Sequence, residues 1–336
     1  MSNTSKKVVS LALILTTVFL ILCTGFYTFE LLSGYSPSSG QFEKGIFSDV
    51  FLPLIYMLAL VAFAMFGFLF RTSLTGRTYK NVLSVLFASG FGALVTLFWL
   101  ISLLADFFSE LHTGPSMIFG VLLILSAIAA VAYFVLCATP TPSHTYAVVL
   151  GMGAALFMLA YAFYAYFDST FALNSPIKLL DQISAIALAI FFLTETRFRF
   201  GAVTEAVFFP VGMAAFLLSA SNGIGAIIYF LAEERPLVVD TMHDFLFLGL
   251  SLYVLARLIS FLLPSLFREE ATAESAGSAA FETEGGATHA EQADLAQETF
   301  DFDNAPAPSV LNEETVSEPD ASSAEVSQEF DTPTET

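Results

Sequence analysis

Three groups of polar residues stand inside otherwise apolar stretches of this chain, at spacings that suit chemistry. Lys178, Asp181 and Gln182 lie at i, i+3 and i+4, so a helix places them on one face. Asp240, His243 and Asp244 repeat that spacing, with Ser251 two turns further along. Between these groups, Ser219, Ser221, Asn222, Gly223 and Gly225 interrupt a long apolar run, and Pro210 stands earlier in it. Lys178, Asp181 and Asp244 offer charges of both signs to a solute or an ion, and Asp181, His243 and Asp244 are the groups able to act as acid or base. Ionisable groups in a lipid-like setting are costly to keep, which makes them functional candidates. A Gly-containing break in a membrane helix is where transporters coordinate substrates. The pattern predicts an outward-facing polar cavity lined by Lys178, Asp181, Gln182, Asn222, His243 and Asp244. Each group also has a plainer reading. Lys178 and Asp181 make a local ion pair at the headgroup level, Asp240 and Asp244 complement the dipole of a first helical turn, and the Gly and Ser residues serve close helix packing.

The elements that must position these residues follow from composition. Of 336 residues, 56% are hydrophobic and 13% charged. A soluble domain holds about 45–50% apolar and about 25% charged residues, so an ordinary soluble enzyme is excluded. A net charge of -19 argues against a nucleic-acid partner, since a phosphate backbone needs a basic patch. The charge is unevenly placed. No Lys or Arg follows Arg268, and residues 269–336 hold 18 Asp and Glu, which leaves 13 acids against 12 bases in the body.

A bilayer core of about 30 Å needs about 20 apolar residues of helix. Runs of that length recur at Val8–Phe29, Val50–Phe70, Val82–Phe108, Met117–Ala138, Tyr146–Phe167, Ile177–Thr194, Ala206–Leu231 and Met242–Leu263. The runs do not alternate, which excludes a membrane β-barrel. The fold class is therefore all-α, a polytopic transmembrane helix bundle of eight spans over residues 1–268, with a disordered acidic tail over 269–336. The first run is too long for the apolar core of a signal peptide and reads as an uncleaved first helix.

Basic residues orient the bundle. With the N-terminus cytoplasmic, Lys6, Lys7, Arg71, Arg77, Lys80, Arg197, Arg199, Arg257 and Arg268 lie on the inside and Lys44, Lys178 and Arg235 outside, a split of 9 to 3. The expected location is the cell membrane, with both termini cytoplasmic. Rings crowd the outer ends of the first, fifth and seventh spans (Tyr27, Tyr161 and Tyr229 among them) and match an interfacial belt facing lipid. Arg257 lies within two turns of Pro264, close enough for its stem to snorkel to the inner headgroups, with pairing to Glu195 or Glu205 as the alternative. Glu195, Arg197 and Arg199 close the sixth span and read as an interface anchor.

No phosphate-binding loop, dinucleotide motif or zinc-protease His-Glu-x-x-His occurs, and the four histidines fall in different segments, so no cofactor and no metal are expected. Cys23 and Cys137 fall at opposite membrane depths, so no bridge is expected. In the tail, Phe281-Glu282-Thr283, Phe300-Asp301-Phe302-Asp303 and Phe330-Asp331-Thr332 place aromatics in an acidic, weakly hydrophobic chain that cannot repay ordering entropy. Such a tail either solubilises or docks into the basic groove of a cytoplasmic protein. The other expected partner is the lipid bilayer.

Asn174-Ser175-Pro176-Ile177-Lys178, followed by an apolar helix ending Glu195-Thr196-Arg197-Phe198-Arg199, resembles a segment in uncharacterised polytopic membrane proteins of anaerobic clostridia. The likeness covers about 30 residues. It implies a multi-span membrane protein and carries over no catalytic residue. Three functions follow in order of expectation. The first is a non-enzymatic sensing or scaffolding membrane protein whose tail recruits a partner, the second a small-solute or ion transporter using the polar cavity, the third an intramembrane enzyme.

Overall fold

An apolar run in a medium without water must satisfy its own backbone, and a helix does so within one segment. The computed structural model describes residues 3–36, 41–42, 50–74, 83–109, 117–139, 144–167, 175–232 and 240–262. All of these lie within Met1–Thr283, the first of two compact units. The expectations for the acidic tail, and for Arg77, Lys80 and Arg268, fall outside the described residues.

The elements in chain order are α1 (Asn3–Ser33), β1 (Tyr35–Ser36), β2 (Gln41–Phe42), α2 (Leu52–Leu69), α3 (Arg71–Leu74), α4 (Leu83–Ser109), α5 (Met117–Cys137), α6 (His144–Phe167), α7 (Pro176–Arg199), α8 (Glu205–Ala232) and α9 (Asp240–Leu262). Among the described residues, 8 of these helices are long and apolar enough to cross a membrane, and they coincide with the eight apolar runs. The strand pair was not legible in the sequence. It is antiparallel, with Tyr35 opposite Phe42 and Ser36 opposite Gln41. The Tyr35 ring sits edge-on to Tyr229 of α8 at 5.7 Å.

Six helices close into a ring. α4 packs on α5, α5 on α6, α6 on α7, α7 on α8, α8 on α9, and α9 returns to α4. α1, α2 and the short α3 pack on the flank of α8, so α8 is shared by the ring and the flanking group. Inside the ring, Phe134 meets Phe192 and Tyr253 edge to face, with the Phe134 and Tyr253 centroids 5.1 Å apart. Phe208 stacks on Phe198 at 4.7 Å and leans on Phe261 at 5.7 Å. The single tryptophan, Trp99 of α4, is buried against Phe157 and Tyr161 of α6 at 5.2 and 5.6 Å. The aromatic belt therefore needs correction. Phe29, Phe163, Tyr166 and Phe167 are exposed, but Tyr27 and Tyr161 are buried, because large rings fill the gaps between helices.

Local sequence sets the helices that matter most. Pro176 opens α7, where its missing N–H costs nothing, and Ser175 before it is extended. Arg197 and Arg199 lie in the last turn of α7, where cations favour the dipole. Gly201 ends that helix with φ 69°, a left-handed conformation that glycine takes without strain. Ala202 N–H donates to the Arg197 carbonyl and Gly201 N–H to that of Phe198, each at 3.0 Å, which completes a Schellman turn. The turn makes α7 and α8 neighbours. Pro210 lies inside α8 without ending it.

Candidate functional site

Two polar clusters lie in the bundle, one towards the start of α7 and one towards its end. The first contains residues foreseen from spacing. Lys178 is 3% exposed. One turn on, Asp181 Oδ1 accepts a hydrogen bond from Asn222 Nδ2 of α8 at 2.7 Å. One further turn along α7, Ser184 Oγ donates to the Leu218 carbonyl at 3.1 Å. On the flanking side, Tyr56 OH of α2 donates to Ser221 Oγ at 2.9 Å. The Tyr27 ring of α1 enters the same region, and its hydroxyl lies within electrostatic reach of Asp181, Tyr56 and Asp244. The fold thus brings together Asp181, Asn222 and Asp244 from three helices. Gln182 is half-buried beside Asp181. His243 belongs to α9, and its side chain lies outside the described residues.

The polar, Gly-containing stretch Ser219–Gly225 does not break its helix. α8 runs as one helix from Glu205 to Ala232. Ser219 Oγ and Ser221 Oγ donate back to the Ala215 and Leu218 carbonyls at 2.6 and 3.2 Å, so these hydroxyls are satisfied without unwinding. Gly223 serves close approach. A Cβ there would lie 2.8 Å from the Leu248 backbone nitrogen and 2.9 Å from the Asp244 carbonyl oxygen. A missing side chain lets two helix backbones touch, which is the usual reason for small residues between membrane helices.

The second cluster corrects two expectations. Arg257 does not snorkel. It is 0% exposed, and its Nε lies 2.9 Å from Glu195 Oε1, also 0% exposed. Glu195 and Arg199 are not an interface anchor either, since Arg199 Nη2 reaches the same carboxylate oxygen at 3.2 Å with its side chain 7% exposed. The reason is the ring. The inner faces of α7 and α9 look at each other across its interior, so the charges find each other before they find the headgroups.

Hydroxyls complete this cluster. Tyr253 OH donates to Glu195, lying 3.0 Å from Oε1 and 3.1 Å from Oε2, and accepts from Arg257 Nε at 2.9 Å. Tyr133 OH of α5 lies 3.1 Å from Tyr253 OH. Either phenol can be the donor in this last bond. Arg199 Nη2 also approaches Cys137 Sγ at 3.4 Å. The arrangement ties α5, α7 and α9 around one carboxylate.

The sequence reading missed Tyr27, Tyr56, Tyr133 and Tyr253. The pairs Glu195–Arg199 and Tyr253–Arg257 do carry an i, i+4 signal. The tyrosines on α1, α2 and α5 carry none, being single rings in ring-rich helices. Cys23 and Cys137 are buried and free. Among the described residues, no group of three or more His, Cys, Asp and Glu is placed to hold a metal ion. Comparison of the chain with protein-family models, with curated proteins and with solved structures finds no match.

Proposed function

We propose that this chain is a non-enzymatic multi-pass protein of the cell membrane that senses or scaffolds, with both termini cytoplasmic and an acidic tail that recruits a soluble partner. The observation that carries the reading is the Glu195 cluster. A catalytic acid faces a space that substrate enters. Here Arg257, Arg199 and Tyr253 all converge on the same carboxylate. That arrangement commits the innermost charges to joining three helices. Orientation is supported by the exposed Arg71 and Arg197, which lie at the same end of the second and sixth spans, the end that the bias of basic residues reads as cytoplasmic. The tail test is direct. Immobilised residues 269–336 should retain a specific protein from the cell's own cytosol, and changing Phe281, Phe300, Phe302 and Phe330 to Ala should release it. A tail deletion that leaves every cellular phenotype intact would remove the recruiting role.

One observation favours a second reading, a small-solute or ion carrier. The Asp181–Asn222 hydrogen bond lies between α7 and α8, beside the buried Lys178. Buried polar groups at that depth are what a carrier uses to hold its cargo.

A further inference from the structure

Tyr27 and Asn222 are each 1% exposed. The Tyr27 hydroxyl and Asn222 Oδ1 are buried without a hydrogen-bond partner among the described residues, as are Thr24 Oγ1 and Thr28 Oγ1. These four atoms belong to one interface. A Cβ at Gly225 would lie 2.5 Å from Tyr27 Cδ1 and 3.4 Å from Thr28 Oγ1, which sets Tyr27 and Thr28 level with Gly225. Asn222 is one turn before Gly225 on the same face of α8, and Thr24 one turn before Thr28 on α1. As the first and seventh spans, α1 and α8 run in the same direction, so the Thr24 level of α1 meets the Asn222 level of α8.

All four atoms are oxygens. Asn222 turns its NH2 to Asp181 and therefore its oxygen away from it. The carboxylates of Asp181 and Asp244 both lie within electrostatic reach of the Tyr27 hydroxyl, with Lys178 one turn before Asp181 on α7. Buried, unpartnered oxygens beside two carboxylates suit a small positive guest. No group of three His, Cys, Asp and Glu stands ready as a chelate among the described residues, which argues against a divalent or transition metal. Neutral oxygens with few carboxylates suit a small ion of single charge, whose hydration shell they replace.

We propose that the α1–α8 interface beside Asp181 binds a small monovalent cation, an alkali metal ion or an ammonium ion, through the Tyr27 hydroxyl and the Asn222 amide oxygen. The site requires neither tail recruitment nor transport. The test is thermal unfolding of the full-length protein in detergent, at constant total chloride, with choline replaced stepwise by sodium, potassium or ammonium. The melting temperature should rise and saturate with at least one of the three, and which one separates an alkali from an ammonium site. Tyr27→Phe keeps the ring against Gly225 and should weaken that response about tenfold, as loss of one well-placed ligand does. Asn222→Ala should do the same. If Asn222→Ala does not fold, Tyr27→Phe alone decides. Equal stability in choline and in all three salts means that only water occupies the interface and overturns the proposal. An unchanged response in Tyr27→Phe places the ion elsewhere and overturns it too.

Discussion

Arg257 of α9 and Glu195 of α7 meet at 2.9 Å, and neither side chain has any exposed surface. A buried ion pair is weak evidence for net stability, because desolvation opposes the attraction. Breaking it is another matter. Arg257→Gln leaves a buried carboxylate with half its cationic partners and should cost about 3–5 kcal/mol in detergent unfolding. The double change Arg257→Gln with Glu195→Gln should recover part of that loss. Strictly additive losses would show that the two residues do not interact.

Tyr253→Phe keeps the ring between Phe134 and Phe192 and removes only the hydroxyl shared by Glu195, Arg257 and Tyr133. The expected loss is about 1–3 kcal/mol, the cost of leaving buried partners unsatisfied. Stability equal to wild type would mean that the hydroxyl is not part of the network.

Gly223→Ala should separate α8 from α9, since the new methyl would meet the backbone of Asp244 and Leu248. Overpacking of this kind costs about 1–3 kcal/mol. Gly25→Ala on α1 is the matched control, because nothing lies within 4 Å of a Cβ there. It should be neutral or stabilising by up to about 1 kcal/mol through helix propensity. Equal effects at both glycines would contradict the close approach.

Reporter fusions test the orientation. Fusions after Arg77 and after Arg268 should read cytoplasmic, and one after Glu110 external. An external signal from the fusion after Arg268 would reverse the assignment of both ends.

The eight spans were legible in the sequence because membrane length and apolarity are sums over one local segment. The same is true of the shared face of Lys178 and Asp181, which needs only helical spacing, and of the start of α7 at Pro176. What the sequence could not determine is which face of each helix turns inward. In α2, Ala59, Phe63 and Phe66 are buried while Leu54, Met57 and Phe68 are exposed, and the residue types on the two faces are alike. Lipid is as apolar as leucine, so no polar stripe marks the outside. Only the tertiary structure therefore decided that Arg257 finds Glu195 across the ring and does not reach for headgroups. It also decided that α8 stays unbroken at Asn222, because Gly223 closes on α9 and the serines bond back to their own helix. Tyr27 joins Asn222 for the same reason. The first and seventh spans are distant in the chain, and only packing of α1 on α8 sets the Tyr27 ring against Gly225, one turn from Asn222.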